Sequence, residues 1–206
     1  MEPNYSLDNL EERANAAKQA LNDRLVELEG AYHERCILRA ASGIIPIGFC
    51  GMGRAGKDTA AEYICKQSGA VYPNSASWLV LPFIAHMIGI STERAWQERH
   101  QRRAFWIAAC HAFRGKDYTL LIRMCLGAGD VAVGIRGWLE LDEAVRSKTV
   151  LLTVWIDNPR VPKDPTVEYG PENCDLLVLN YGSLPEFYAK LDRFVQAVYK
   201  AQKVNV

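Results

Sequence analysis

The sequence has almost no bias of charge. Lys and Arg together number 24, and so do Asp and Glu, for a formal net charge of zero over 206 residues. That balance excludes a generalised basic surface, so nucleic acid is not an expected partner beyond what a local patch would hold. Long apolar runs are lacking too: none reaches the ~18 residues of a membrane-spanning helix, so no membrane association is expected. The opening "MEPNYSLDNLEERANAAKQ" is polar and acidic, unlike a secretory signal. Cysteine is present but never paired in sequence. Cys36, Cys50, Cys65, Cys110, Cys125 and Cys174 stand singly, with no CxxC. This argues against a zinc ribbon or a disulfide scaffold and for reduced thiols in the cytoplasm, several of them buried in the core. His86, His100 and His111 fall in helical stretches without metal-ligand spacing, so no zinc site is expected. Internal repeats and low-complexity segments are also lacking.

What is there suits one domain with an appendage. The apolar share of 49% is enough for a sizeable core. Residues 1–41 read as a helical extension capped at Ser6. Leu7, Leu10, Ala14, Ala17, Leu21, Leu28 and Ala31 follow a 3,4 spacing that only Arg24 interrupts, and Leu25 widens the stripe. Two readings stay open for it: a helix laid against its own domain, or a helix for a partner, a homodimer included. Ser42-Gly43 ends the segment, and residues 42–206 form the main domain.

In that domain apolar strands alternate with helices. Strands are predicted near Ile44–Cys50, Ala70–Tyr72, Gly129–Arg136, Thr149–Asp157 and Asp175–Asn180. Helices are predicted over Asp58–Gly69, Ser77–Met87, Thr92–Phe113, Asp117–Leu126 and Trp138–Ser147. A turn is expected at Pro73-Asn74, and Pro82 is tolerable only in a first helical turn. A last helix follows Ser183, which forms a capping box with Glu186. Continuously apolar strands separated by helices predict an α/β fold with a parallel sheet covered on both faces.

The chemistry is concentrated in "GFCGMGRAGKDTAAEYI". Gly51-Met52-Gly53-Arg54-Ala55-Gly56-Lys57 matches G-x-x-x-x-G-K, placed between a buried strand and a helix. Loop amides and the helix N-terminus point at phosphate oxygens there, and the glycines let the backbone approach. Lys57 then reaches the β- and γ-phosphates of a nucleoside triphosphate, and Arg54 adds a second cation. The usual hydroxyl after the lysine is replaced by Asp58, with Thr59 one place later. Asp58 serves either as an oxygen ligand for Mg2+ or as a charge at the helix N-terminus, and Thr59 is the other metal-ligand candidate.

The "GKDTAAEYI" loop-helix resembles that of phage-type deoxynucleoside monophosphate kinases. "DVAVGIRGWLELDEA" is similar to that family's strand ending in arginine, and "DLLVLNYGSLPEFYAKLDRFV" to its closing block. The resemblance runs from about Ile44 to Val198. It implies a three-layer P-loop kinase core with five parallel strands in the order 2-3-1-4-5. It implies transfer of the γ-phosphoryl of ATP, with Mg2+, to a (deoxy)nucleoside monophosphate in the cytoplasm, that of the host if the chain is phage-encoded. Asn180, Tyr181 and Gly182 occupy the place that meets the ATP base, and Arg99, Arg102 and Arg103 lie in the region that binds the monophosphate.

Phosphoryl transfer needs cations converging from outside the loop. Arg136, ending a buried strand, is the leading candidate; the alternative is a structural ion pair. For Arg99, Arg102 and Arg103 the alternative is a solvated basic face. The Pro-rich loop from Asp157 to Asn173 sits where such kinases carry a lid, with Arg160 and Lys163 as candidates to close on ATP. The apolar stretch "SWLVLPFIAHMIGI" departs from the family by lacking a charge near the acceptor helix. Other acceptors therefore stay open, a small molecule or a modified base in DNA, as does a nucleotide-binding interaction protein.

Overall fold

The apolar run before the glycine loop forms β1 (Ile47–Cys50), buried along its whole length. In the computed structural model, which describes residues 7–72 and 75–200, β1 is an inner strand of a parallel sheet. Its neighbours are β2 (Val131–Val133) and β3 (Leu152–Asp157), with β4 (Leu176–Leu179) beyond β3, in the order β2-β1-β3-β4. Gly48 pairs with Ala132 on one side and Thr153 on the other.

Alternate residues of these strands feed two cores, which explains their continuous hydrophobicity. Ile47, Phe49, Val133, Val154 and Ile156 pack against α2 (Lys57–Ser68) and α9 (Leu184–Val195). Cys50, Ala132 and Trp155 pack against α7 (Leu120–Ala128) and α8 (Trp138–Arg146). The expected ends hold where local chemistry sets them. Gly69 closes α2 in the left-handed region, and Ser183 and Glu186 cap α9 reciprocally.

The sheet has four strands, not the expected five. Its order is the expected one with the first edge strand removed. Residues 70–72 do run beside β2, where Val71 accepts from the Asp130 amide at 2.6 Å and donates to Asp130 Oδ2 at 2.8 Å. Residues 70–72 make no further ladder and form no strand, and Pro73, next in the sequence, has no N–H to offer one. The turn expected at Pro73-Asn74 lies outside the described residues, as does the Ser6 cap.

Two expected helices are each divided. The first becomes α3 (Ala76–Leu79) and α4 (Leu81–Ile88), with Pro82 in the first turn of α4. The second becomes α5 (Thr92–Glu98) and α6 (Arg103–Arg114). Between them the Arg99 amide bonds Trp96 O and the Gln101 amide bonds Glu98 O, a tight i to i+3 turn. This bend brings Trp96 and Trp106 into edge contact, with ring centroids 6.5 Å apart.

The N-terminal extension is α1 (Leu7–Ser42), 36 residues and therefore ~54 Å long. Its C-terminal half packs on its own domain. Leu28 is buried, and α1 crosses α7 so closely that a Cβ on Gly127 would lie 2.9 Å from Leu28 O. Arg35 and Arg39 reach the fully buried Asp130 at the start of β2, with nitrogen–oxygen distances of 2.6–3.0 Å. Arg39 also donates to the carbonyls of Leu126 and Gly129. Removing one partner of such a buried pair costs on the order of 3–5 kcal/mol. The side chains at Leu7, Leu10, Ala14, Ala17, Leu21 and Leu25 lie outside the described residues. No described helix is long and apolar enough to cross a membrane.

Candidate active site

Residues 51–57 fold as the spacing predicts, a tight loop between β1 and α2 at the C-terminal edge of the sheet, where open α/β sheets bind ligands. Glycine is required at its two ends. Gly51 has φ +129°, and a Cβ there would fall 2.4 Å from Ile156 O of β3. Gly56 has φ +99°, and its Cβ would meet Asn180 Nδ2 at 2.5 Å. Arg54, at φ +66°, holds the left-handed conformation without being glycine, as a turn fixed by its surroundings can impose.

Lys57 is buried and folds back across the loop. Its Nζ donates to Gly51 O at 2.9 Å and Met52 O at 2.6 Å. Burial first, and then the charge of Arg136, pull its pKa down to about 8. Asn180 braces the loop from the end of β4, donating from Nδ2 to Ala55 O at 2.8 Å. Gly182, at φ +145°, makes the turn into α9. Asp58 is exposed and accepts from Tyr72 Oη at 2.6 Å; burial and then that bond raise the Tyr72 pKa. Thr59 is half-buried on the first turn of α2.

Beside the loop opens a cavity of about 450 Å³, within the range of small-molecule sites. Gly53, Arg54, Lys57 and Asp58 form its loop wall. Arg99, Arg103, Arg136, Trp96, Trp106, Tyr72 and Glu140 form much of the opposite wall. The Arg99 guanidinium lies 3.8 Å from the centroid of the Trp96 ring, a cation–π contact. Glu140 is buried and accepts from the amides of Arg136 and Gly137 at 3.1 and 2.9 Å, fixing the turn that carries Arg136. Its other oxygen lies 2.6 Å from Arg114 Nη1.

The structure thus brings Arg54, Lys57, Asp58, Arg99, Arg103 and Arg136 to one cavity. Arg102 is not among its lining residues; it pairs with Glu98 on the surface at 2.8 Å. Arg160 and Lys163 are exposed on the loop after β3 and do not line the cavity either. Thr59, Asn180 and Gly182 flank the loop rather than the cavity.

The loop after β3 supplies a residue that sequence reasoning missed, Asp164. Its Oδ2 accepts from Arg136 Nη1 at 2.7 Å and from Arg103 Nη2. Its Oδ1 accepts from the Thr166 amide and hydroxyl at 3.1 and 2.6 Å. Burial alone would raise this carboxyl, but the bonds from Thr166 and Arg136 outweigh it and hold it well below the usual carboxylate range. The available signal was Asp164-Pro165-Thr166, a local turn of the kind in which aspartate bonds the backbone two residues on.

The chain's fit to a magnesium nucleotide can be judged from its own atoms. The loop brings a buried ammonium, that of Lys57, to the cavity beside the N-terminus of α2. Among the described residues no group of three His, Cys, Asp or Glu side chains gathers to hold a metal. A magnesium ion needs no such cage, because one or two protein oxygens with phosphates and water complete its shell. Asp58, facing the cavity, fits that part. No protein-family model matches the chain, and no curated protein is significantly similar to it.

Proposed function

We propose that this chain is a nucleotide kinase, transferring the γ-phosphoryl group of ATP to the phosphate of a (deoxy)nucleoside monophosphate in the presence of Mg2+. One observation carries the reading. The glycine loop and a cavity of about 450 Å³ share Lys57, and three arginines of other segments, Arg99, Arg103 and Arg136, line the same space. A triphosphate tail needs the first feature, and a second phosphate-bearing molecule needs the others.

In this reading the loop amides and the N-terminus of α2 bind the donor phosphates, with Lys57 at the β- and γ-positions. Lys57 exchanges its bonds to Gly51 O and Met52 O for phosphate oxygens, which restores its full charge. Arg136 and Arg103 offset the charge of the transferring group, and Arg99, over Trp96, meets the acceptor phosphate. Magnesium, when bound beside Asp58 or Thr59, neutralises donor oxygens. The attacking phosphate oxygen is already anionic, so no general base is required. Trp96, Trp106 and Tyr72 offer apolar and aromatic surface to the base.

The test is a panel of ribo- and deoxyribonucleoside monophosphates with ATP and Mg2+, read by product chromatography beside calorimetry with magnesium-loaded ATP. Formation of a diphosphate from at least one member is expected. ATP binding without any product would move the reading to another acceptor, a small molecule or a modified base in DNA. Absence of heat on a folded sample would remove the donor and with it the kinase.

A further inference from the structure

Asp164 brings a negative charge to the two arginines assigned to phosphate. We propose that Asp164 is a positioning residue, whose carboxylate holds Arg103 and Arg136 converged beside Gly53 with their remaining N–H groups free for the transferring phosphate. This rests on the kinase reading.

Three observations place the carboxylate behind the guanidiniums rather than in their working space. First, one oxygen serves both arginines through a single nitrogen of each, Arg136 Nη1 at 2.7 Å and Arg103 Nη2. Arg136 Nη1 spends its second N–H on Thr166 Oγ1 at 3.0 Å, so of the five N–H donors of each guanidinium those on Nε and Nη2 of Arg136 and on Nε and Nη1 of Arg103 stay available for an oxyanion. Second, Gly53, Arg103 and Arg136 line the cavity but Asp164 does not, and its side chain is only 7% exposed. Third, Asp164 sits on a braced segment. Its own amide meets Met52 Sδ at 3.3 Å. Beyond Thr166, the Glu168 amide bonds Arg136 O at 3.0 Å, and Tyr169 Oη donates to Ile135 O at 2.9 Å.

The need for such a device follows from where the arginines come from. Arg103 begins α6 and Arg136 follows β2, so no local geometry sets their separation. Two like charges drawn together repel, and a shared carboxylate offsets that repulsion while fixing both forks. It also joins the acceptor-side helix to the donor loop, since Gly53 lies against the same contact: a Cβ there would be 2.9 Å from Arg103 Nη2 and 3.0 Å from Asp164 Oδ2.

The experiment compares wild type with Asp164→Asn and Asp164→Ala in two measurements. Phenylglyoxal modification, resolved by peptide mass spectrometry, reports how firmly each arginine is held; Arg102, whose partner is Glu98, is the internal reference. Steady-state kinetics with the best monophosphate of the panel separates kcat from KM. Asp164→Asn is expected to modify severalfold faster at Arg103 and Arg136 but not at Arg102. Its kcat should fall on the order of 10²-fold with KM for ATP nearly unchanged, as misplacement of a catalytic group costs. Unchanged modification would overturn the proposal whatever the kinetics. Faster modification with undiminished kcat, or with a lowered KM, would also overturn it, by making Asp164 a plug that substrate displaces. A wild type inert on the whole panel would sink the kinase reading instead, and the modification rates alone would then decide whether Asp164 holds the pair. Should the alanine variant fail to fold, the near-isosteric asparagine carries the test.

Discussion

The two walls of the cavity are built by different means. The loop wall comes from one short stretch, Gly53, Arg54, Lys57 and Asp58, shaped by the bends at Gly51 and Gly56. The facing wall is assembled from separate segments: Tyr72 ahead of α3, Trp96 and Arg99 at α5, Arg103 and Trp106 on α6, Arg136 after β2, Glu140 on α8. The first depends on side chains being absent, the second on charges being held together. An added methyl group should therefore damage the loop wall, and a removed charge the facing one.

Lys57 is the buried cation of the loop wall, and its loss should have the largest effect. Lys57→Ala is expected to lower turnover by at least ~10³-fold, as removal of charge stabilisation at a transferring group does; chromatographic turnover above a tenth of wild type would remove Lys57 from the transfer. Arg136→Ala tests the facing wall. We expect kcat to fall by about 10²-fold with a smaller change in KM for ATP. A rise in KM alone would make Arg136 a binding group only.

Gly51→Ala tests the loop wall by adding a single carbon. With φ at +129° and Ile156 O in the way, the fold should lose about 1–3 kcal/mol in urea melts. Unaltered stability would mean that the loop adapts, against the comparison drawn above. Gly53→Ala meets only the side-chain ends of Arg103 and Asp164, so it should spare stability and slow turnover.

The titration of Lys57 gives a subtler measure. Its pKa is about 8 in the folded chain against 10.5 ordinarily. The unfolded chain therefore binds more protons across that interval, and this group's contribution makes stability rise with pH from about 8 to 10.5. Lys57→Met should flatten that rise, seen in urea midpoints across the interval. Triphosphate binding should restore the proton. Calorimetry near pH 9 in buffers of different ionisation enthalpy should then show uptake of up to one proton, and near pH 7 almost none; equal values at both would refute the shift. The smallest effect belongs to Arg102, whose pairing with Glu98 is on the surface. Arg102→Ala should change kcat/KM by less than about twofold.

What could be read in advance divides along the same line. The loop was legible because its conformation is set by seven consecutive residues between a strand and a helix. Arg136 was legible because a charge ending an apolar strand needs a partner. Arg99 and Arg103 could not be told from Arg102, because the bend that turns the first two toward the cavity breaks a stretch with no proline or glycine in it. Local propensity does not explain that bend; the packing of Trp96 and Trp106 accompanies it. Asp164 was missed because its arginine partners lie 28 and 61 residues away in sequence, and Glu140 because, although its contact with the Gly137 amide is local, its Arg114 partner is remote. The fold class was readable from the alternation of apolar strands and helices. The strand expected at Ala70–Tyr72 was not one, because its bonds to the neighbouring segment, among the described residues, are those between Val71 and Asp130 alone.

Asp130 decides where this chain tolerates shortening. Residues 1–41 look dispensable on paper, a polar appendage ahead of an α/β domain. Yet a cut at Gly43 would strand an anion in the interior at the root of β2, stripped of the guanidiniums of Arg35 and Arg39. The disturbance would not stay at the cut, since Asp130 also anchors Val71, and the next residue, Tyr72, touches Asp58. A chain trimmed to residues 43–206 would thus lose the footing of its own pocket, whereas the described side chains of α1 upstream of Leu28 are exposed.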